Sequence, residues 1–232
     1  MNRRHGLLAA LGWSMAGQAP LALAQAGRPF VGELKPLGQD RYQIGRIVVD
    51  KAARRFTVPG FVRVLGKPLE YLATVPGGKK AYESLLELST SGTEFNLACI
   101  LIGLVRDPNL PTWKPQRQVP EAGQRVNLSV AWIDGGQRRQ IPAAEALLSD
   151  EARPNAGSIE WAYTGSFTSL DGSLFAADQT GSLISFIKDP TGIIEAVSGL
   201  GLGPYGSVRG NAKLLAEGSA IELVVELANA SK

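Results

Sequence analysis

Apolar and polar residues alternate with a period of two along much of the chain, and that spacing predicts strands. Ile44, Ile47, Val48 and Val49 precede a short polar loop, and Phe56 and Val58 follow it, so the two runs read as a hairpin. The alternation continues through residues 61–64 and 69–75, which extends the hairpin into a meander. After Pro76-Gly77-Gly78 the period changes. Tyr82, Leu85, Leu86 and Leu88 fall at helical spacing and predict a short amphipathic helix starting near Lys79. Ser91 and Glu94 have the spacing of a capping box ahead of an apolar run at 95–105, which reads as a buried helix. Four prolines, at 108, 111, 115 and 120, make the next stretch a loop.

The second half repeats the mixture. Val126, Leu128, Val130 and Trp132 share one face of a strand at 125–133, and Asp134-Gly135-Gly136 turns it toward a partner at 138–141. Pro142 can open a short helix with Ala146, Leu147 and Leu148 on its apolar side. Runs at 159–164 and 174–177 read as strands flanking a turn at Asp171-Gly172, followed by a strand at 183–187. Asp189-Pro190 opens a further helical turn, and 193–198 looks helical. A Gly-rich loop spans 199–210, and 212–216 pairs with 221–227 as a closing hairpin. Strands in groups with helices between them predict an α+β domain with a largely antiparallel sheet and two to four short helices.

Composition alters this picture mainly at the N-terminus. Residues 1–26 read as a cleavable export signal, with Arg3 and Arg4 at the start and a short apolar stretch from 7 to 23. Ala24-Gln25-Ala26 supplies the small-x-small cleavage pattern. Asn2-Arg3-Arg4-His5-Gly6-Leu7-Leu8 is similar to a twin-arginine signal, although Gly6 stands where a bulky apolar residue is usual; the general secretory route stays open. Residues 27–43 then form an irregular Pro- and Gly-bearing lead-in, and 44–232 the single domain. The expected location is the periplasm or the exterior. Cleavage leaves 232 − 26 = 206 residues with 24 − 2 = 22 Lys and Arg against 21 acids, a net +1. That balance lacks the basic footprint of a nucleic-acid binder, and no later segment is long and apolar enough to span a bilayer.

The same cut removes the only histidine, His5, and both methionines, and leaves one cysteine, Cys99. An internal disulfide is therefore excluded. Zinc, copper, haem and iron–sulfur sites lack their usual ligands, and Ser-His-Asp and Cys-His chemistry cannot be assembled. No cofactor or metal is expected. What remains is carboxylate acid–base chemistry, hard-cation sites and Ser-Lys chemistry.

Two motif matches lack their contexts. Gly201-Leu202-Gly203-Pro204-Tyr205-Gly206 has the letters of a dinucleotide fingerprint, but that site needs a strand before it and a helix after it. Ser185-Phe186-Ile187-Lys188 has the letters of S-x-x-K without the KTG partner. Cys99, inside an apolar helix, reads as a core residue. Asp171, Asp178 and Asp189 fall in turns, and no calcium-loop spacing joins them.

Pro76-Gly77-Gly78-Lys79-Lys80-Ala81-Tyr82-Glu83-Ser84-Leu85 resembles a stretch of the YdjY-like bacterial proteins. The order of later segments fits that family too: the apolar run at 95–105, Val126 to Trp132 with its Gly turn, Trp161-Ala162-Tyr163-Thr164-Gly165-Ser166, and Asp178-Gln179-Thr180-Gly181-Ser182-Leu183-Ile184-Ser185. The resemblance implies exported proteins of unestablished function and brings no catalytic residues. Tyr82 stands where a histidine is common, which removes a metal or proton-transfer role there. With the depleted catalytic inventory, the reading is an exported non-catalytic domain that binds an envelope protein or small ligand. Its candidate site is Lys80, Glu83, Asp178, Ser185 and Asp189. The alternative is a carboxylate-dependent hydrolase or lyase acting on a cell-envelope substrate, drawing on Glu83, Glu94, Asp178 and Asp189.

Overall fold

A computed structural model describes residues 32–107, 124–149, 159–169, 171–198 and 208–228. The proposed export signal, the proline-rich stretch at 108–120 and the Gly201–Gly206 motif lie outside these residues. The fold is mostly β rather than α+β. Its strands are β1 (Leu34–Gly38), β2 (Arg41–Ile44), β3 (Ile47–Asp50), β4 (Arg55–Val62), β5 (Tyr71–Thr74), β6 (Ser84–Leu88), β7 (Arg125–Asp134), β8 (Gln137–Pro142), β9 (Leu147–Ser149), β10 (Glu160–Tyr163), β11 (Ser182–Ser185), β12 (Ile194–Ser198), β13 (Val208–Gly210) and β14 (Ala220–Leu227). Among the described residues there are two α-helices, α1 (Gly92–Leu101) and α2 (Ala176–Thr180), and 3-10 turns at Ala81–Glu83 and Ala143–Ala146.

Eight strands close on themselves. The order β4-β14-β7-β10-β12-β11-β5-β6 returns to β4 through the pairing of Gly60, Phe61 and Val62 with Leu88, Glu87 and Leu86. A ring of that size has room for packed side chains and little else. It is filled by Val58, Val62, Leu86, Leu88, Leu128, Val130, Leu223, Val225, Trp161 and Ile184 of one continuous buried cluster. The β1-β2-β3 meander extends from β4, and β8 pairs with β7, so both flaps leave the ring sideways. Helix α1 packs on β3, β11 and α2, and its Phe95 meets Phe56 edge to face at 5.2 Å.

The expected antiparallel pattern holds except at two places, β5–β6 and β11–β12, which are parallel. These are where the helix readings fail. Residues 84–88 form β6, with a single 3-10 turn before it, and 194–198 form β12. Both faces of each strand are covered, so residues on either face are buried, Glu87 and Glu195 among them, and the apolar-polar alternation that marks a half-exposed strand is lost. Residues 34–38 and 41–43 of the expected irregular lead-in, together with Ile44, pair as β1 and β2. Residues 176–180, partly read as strand, form α2, ended by Gly181 at φ +77°. The 212–216 run is a turn rather than a strand. The capping box at α1 is present as read: the Ser91 hydroxyl accepts from Glu94 N–H, and the Glu94 carboxylate accepts from Ser91 N–H.

Candidate functional site

Parallel neighbours cannot be joined by a hairpin, so β5 reaches β6 through residues 75–83, and β11 reaches β12 through 186–193. The two connections carry the polar residues of interest. On the first, the Lys80 Nζ lies 2.5 Å from Glu83 Oε1 and 3.6 Å from Glu70 Oε2. Glu83 is buried and the Glu70 side chain nearly so. Backbone bonds fix this geometry: Glu70 N–H donates to Glu83 C=O at 3.0 Å, and Phe186 N–H donates to Glu70 C=O at 2.9 Å. Glu70 is thereby stitched to both connections.

On the second connection, Asp189 accepts a hydrogen bond from the Tyr71 hydroxyl at 3.0 Å. Its other oxygen accepts from Thr191 N–H at 2.8 Å and from the Thr191 hydroxyl at 2.7 Å. Tyr71 sits between Ser84 and Ser185 in the strand register. Both serine hydroxyls are fully buried without a hydrogen-bond partner among the described residues, as are Thr74 and Ser182 across the same seam. Beside the cluster, Tyr82 is 60% exposed, and the Lys80 ammonium lies 5.7 Å from its ring centroid.

The charges interact. Burial, then the like charge of Glu83, raises the Glu70 carboxyl above its ordinary value, and Lys80 opposes the shift. The hydrogen bond to Glu83 holds Lys80 firmly protonated. Burial, then Asp189, pushes the Tyr71 phenol far up, with Glu70 and Glu83 adding to it, so it stays a neutral donor. Three carboxylates thus gather around one ammonium and one phenol.

Of the five residues expected from sequence, Lys80 and Glu83 form the centre, Asp189 joins them through Tyr71, and Ser185 lies beside Tyr71 in register. Asp178 is elsewhere in role: its carboxylate takes the Thr93 N–H at 2.9 Å and the Thr93 hydroxyl, fastening α2 to the start of α1. Glu70 and Tyr71 were missed, because in an alternating strand Glu70 reads as an outward-facing acid. The pairing that exposes its role is long-range.

The acids named for a hydrolytic site each have a partner: Glu83 has Lys80, and Asp189 has Tyr71 and Thr191. Glu94 is occupied by Ser91 N–H and Gly32 N–H, and Asp178 by Thr93. No group of three Asp, Glu, His or Cys side chains among the described residues is arranged to hold a metal ion. Among the described residues, strand β12 precedes the Gly201–Gly206 motif and Val208–Gly210 after it form strand β13, where a dinucleotide fingerprint would have a helix.

The order of strands and the paired connections can be set against known families. The YdjY domain model matches residues 47–230, most of the chain. The chain belongs to the YdjY domain family. No curated protein and no solved structure matches it. The match places the ring, both parallel connections and the Glu70–Lys80–Glu83 cluster inside the YdjY domain. Cys99 of this YdjY domain is free and buried, and no helix among the described residues is long and apolar enough to cross a membrane.

Proposed function

We propose that this chain is an exported, non-catalytic binding domain whose contact point is the Glu70–Lys80–Glu83 cluster with Tyr71, Tyr82 and Asp189. The occupant is a small ligand or an envelope protein that presents a cationic group. One observation carries the reading: two carboxylates, Glu70 and Glu83, converge on a single ammonium beside an exposed aromatic ring, with a third, Asp189, held next to them by Tyr71. Acid surplus favours a second cation, and the Tyr82 face offers it a cation–π contact. The hydrogen bonds that fix each carboxylate support recognition rather than turnover. For export, the support is the small-x-small pattern at Ala24–Ala26 behind a short apolar stretch.

The mass of protein recovered from the exported fraction tests both parts. A denatured mass corresponding to residues 27–232 is expected, and the intact mass would leave the export reading without support. Native mass in excess of the denatured mass is expected from a held ligand or partner. Glu83→Gln with Tyr82→Ala should release it while the far-ultraviolet spectrum stays unchanged. Retention of the extra mass by that folded variant removes the cluster as the contact point.

A further inference from the structure

A second site lies on the outer face of the sheet, away from the parallel connections. Val48 of β3, Thr57 of β4 and Val224 of β14 stand in one cross-strand row. They form the floor of an open groove of about 540 Å³. Val224 is buried although it points away from the ring interior occupied by Leu223 and Val225, so something covers this face. The cover comes from the two flaps. Gln39 and Arg41, at the β1–β2 turn, wall one side; Arg138 and Gln140, on β8, wall the other. Arg138 reaches over β7 to pair with Glu222 of β14, which holds that wall in place.

The lining carries three arginines, 41, 55 and 138, and one acid, Asp50; at its edge Glu222 pairs with Arg138, and Glu226 stands beside Arg55 in the strand register. Asp50 has a separate structural duty: its carboxylate accepts the Ala53 N–H at 2.9 Å and shapes the β3–β4 turn. Arg41 and Arg55 stand on either side of Asp50 in the strand register, and neither has an ion-pair partner within 4 Å among the described residues. A guanidinium offers a planar fork matched to carboxylate or phosphate. The volume is in the range of small-molecule sites.

We propose that this groove binds an extended organic dianion, with one oxyanion in the Arg41–Arg55 fork and the other at Arg138. Its apolar middle lies across Val48, Thr57 and Val224. The floor spans two strand spacings, about 10 Å. Gln39 and Gln140 supply neutral donors at the rims. The site shares no residue with the Glu70–Lys80–Glu83 cluster and stands whether or not that cluster binds anything.

Calorimetric titration of the full chain with suberate, octanoate and pyrophosphate tests this. Suberate should saturate one site more tightly than octanoate, which has only one charged end. Arg55→Gln and Arg138→Gln should each weaken suberate about tenfold, the cost of losing one charge-assisted contact. Arg139→Gln, whose side chain pairs with Asp134 on the neighbouring strand, should leave the affinity unchanged. Arginine-dependent binding of pyrophosphate as well would show that the fork takes phosphate; dependence for suberate alone would show that it takes carboxylate. Equal binding of suberate and octanoate, equal affinity in all three variants, or no saturable binding of any probe would each overturn the proposal.

Discussion

At the residue scale, Glu70 is the informative position. Its carboxyl is raised above the ordinary 4.5 first by burial and then by Glu83, so the protonated form suits the folded chain better than the unfolded one. The stability it contributes is fully present below that ordinary value and is lost as pH rises through the raised one. Glu70→Gln keeps the neutral form at every pH. Denaturant titrations should therefore show the variant gaining on the parent as pH rises above the ordinary 4.5. A gap that stays constant, or shrinks with pH, would remove the coupled pair from the account. The same position shows where reading by pattern runs out. Lys80 and Glu83 are three apart and announce themselves, whereas Glu70 is joined to them only because β5 and β6 run parallel. Gly45 is similar: its φ of +55° and the Glu94 oxygen 2.6 Å from where a Cβ would stand explain the glycine, yet Glu94 reads locally as nothing more than a cap.

At the scale of the element, the capping box of α1 was fully legible, since its two partners lie within one helical turn. Strand β7 and its turn to β8 were legible as well, because one face is buried and the other is not. Strands β6 and β12 were not, and the reason is shared: both are covered on two faces, so even Glu87 and Glu195 are buried and polarity does not mark the outward positions. Helix α1 carries a built-in reporter. Cys99 is fully buried, and burial raises its thiol well above the ordinary range, so it is inert while the helix stays packed. Ser91→Ala removes one half of the cap and should cost about 1 kcal/mol. Labelling of Cys99 by a thiol reagent under native conditions should then accelerate about fivefold, because the thiol is reached by global opening. A lowered unfolding midpoint with an unchanged labelling rate would mean that the cysteine is reached by a local route instead.

For the whole molecule, the strand content was largely visible and the closure was not, since no local feature states that β4 meets both β14 and β6. Protection should follow that topology. Strand β1 is exposed throughout and pairs on one edge only, whereas β14 is paired along both edges, to β4 and to β7. Amide hydrogen exchange should therefore run fastest in 34–38 and slowest in 221–227, and comparable rates in the two would contradict the ring. The position of β14 has a consequence for biosynthesis. It is the last of the eight ring strands to be translated, yet it separates β4 from β7, which are made far earlier. Until residue 227 has been synthesised, a nascent chain carries two open sheet edges that no earlier segment can seal, and chaperones have their natural target there.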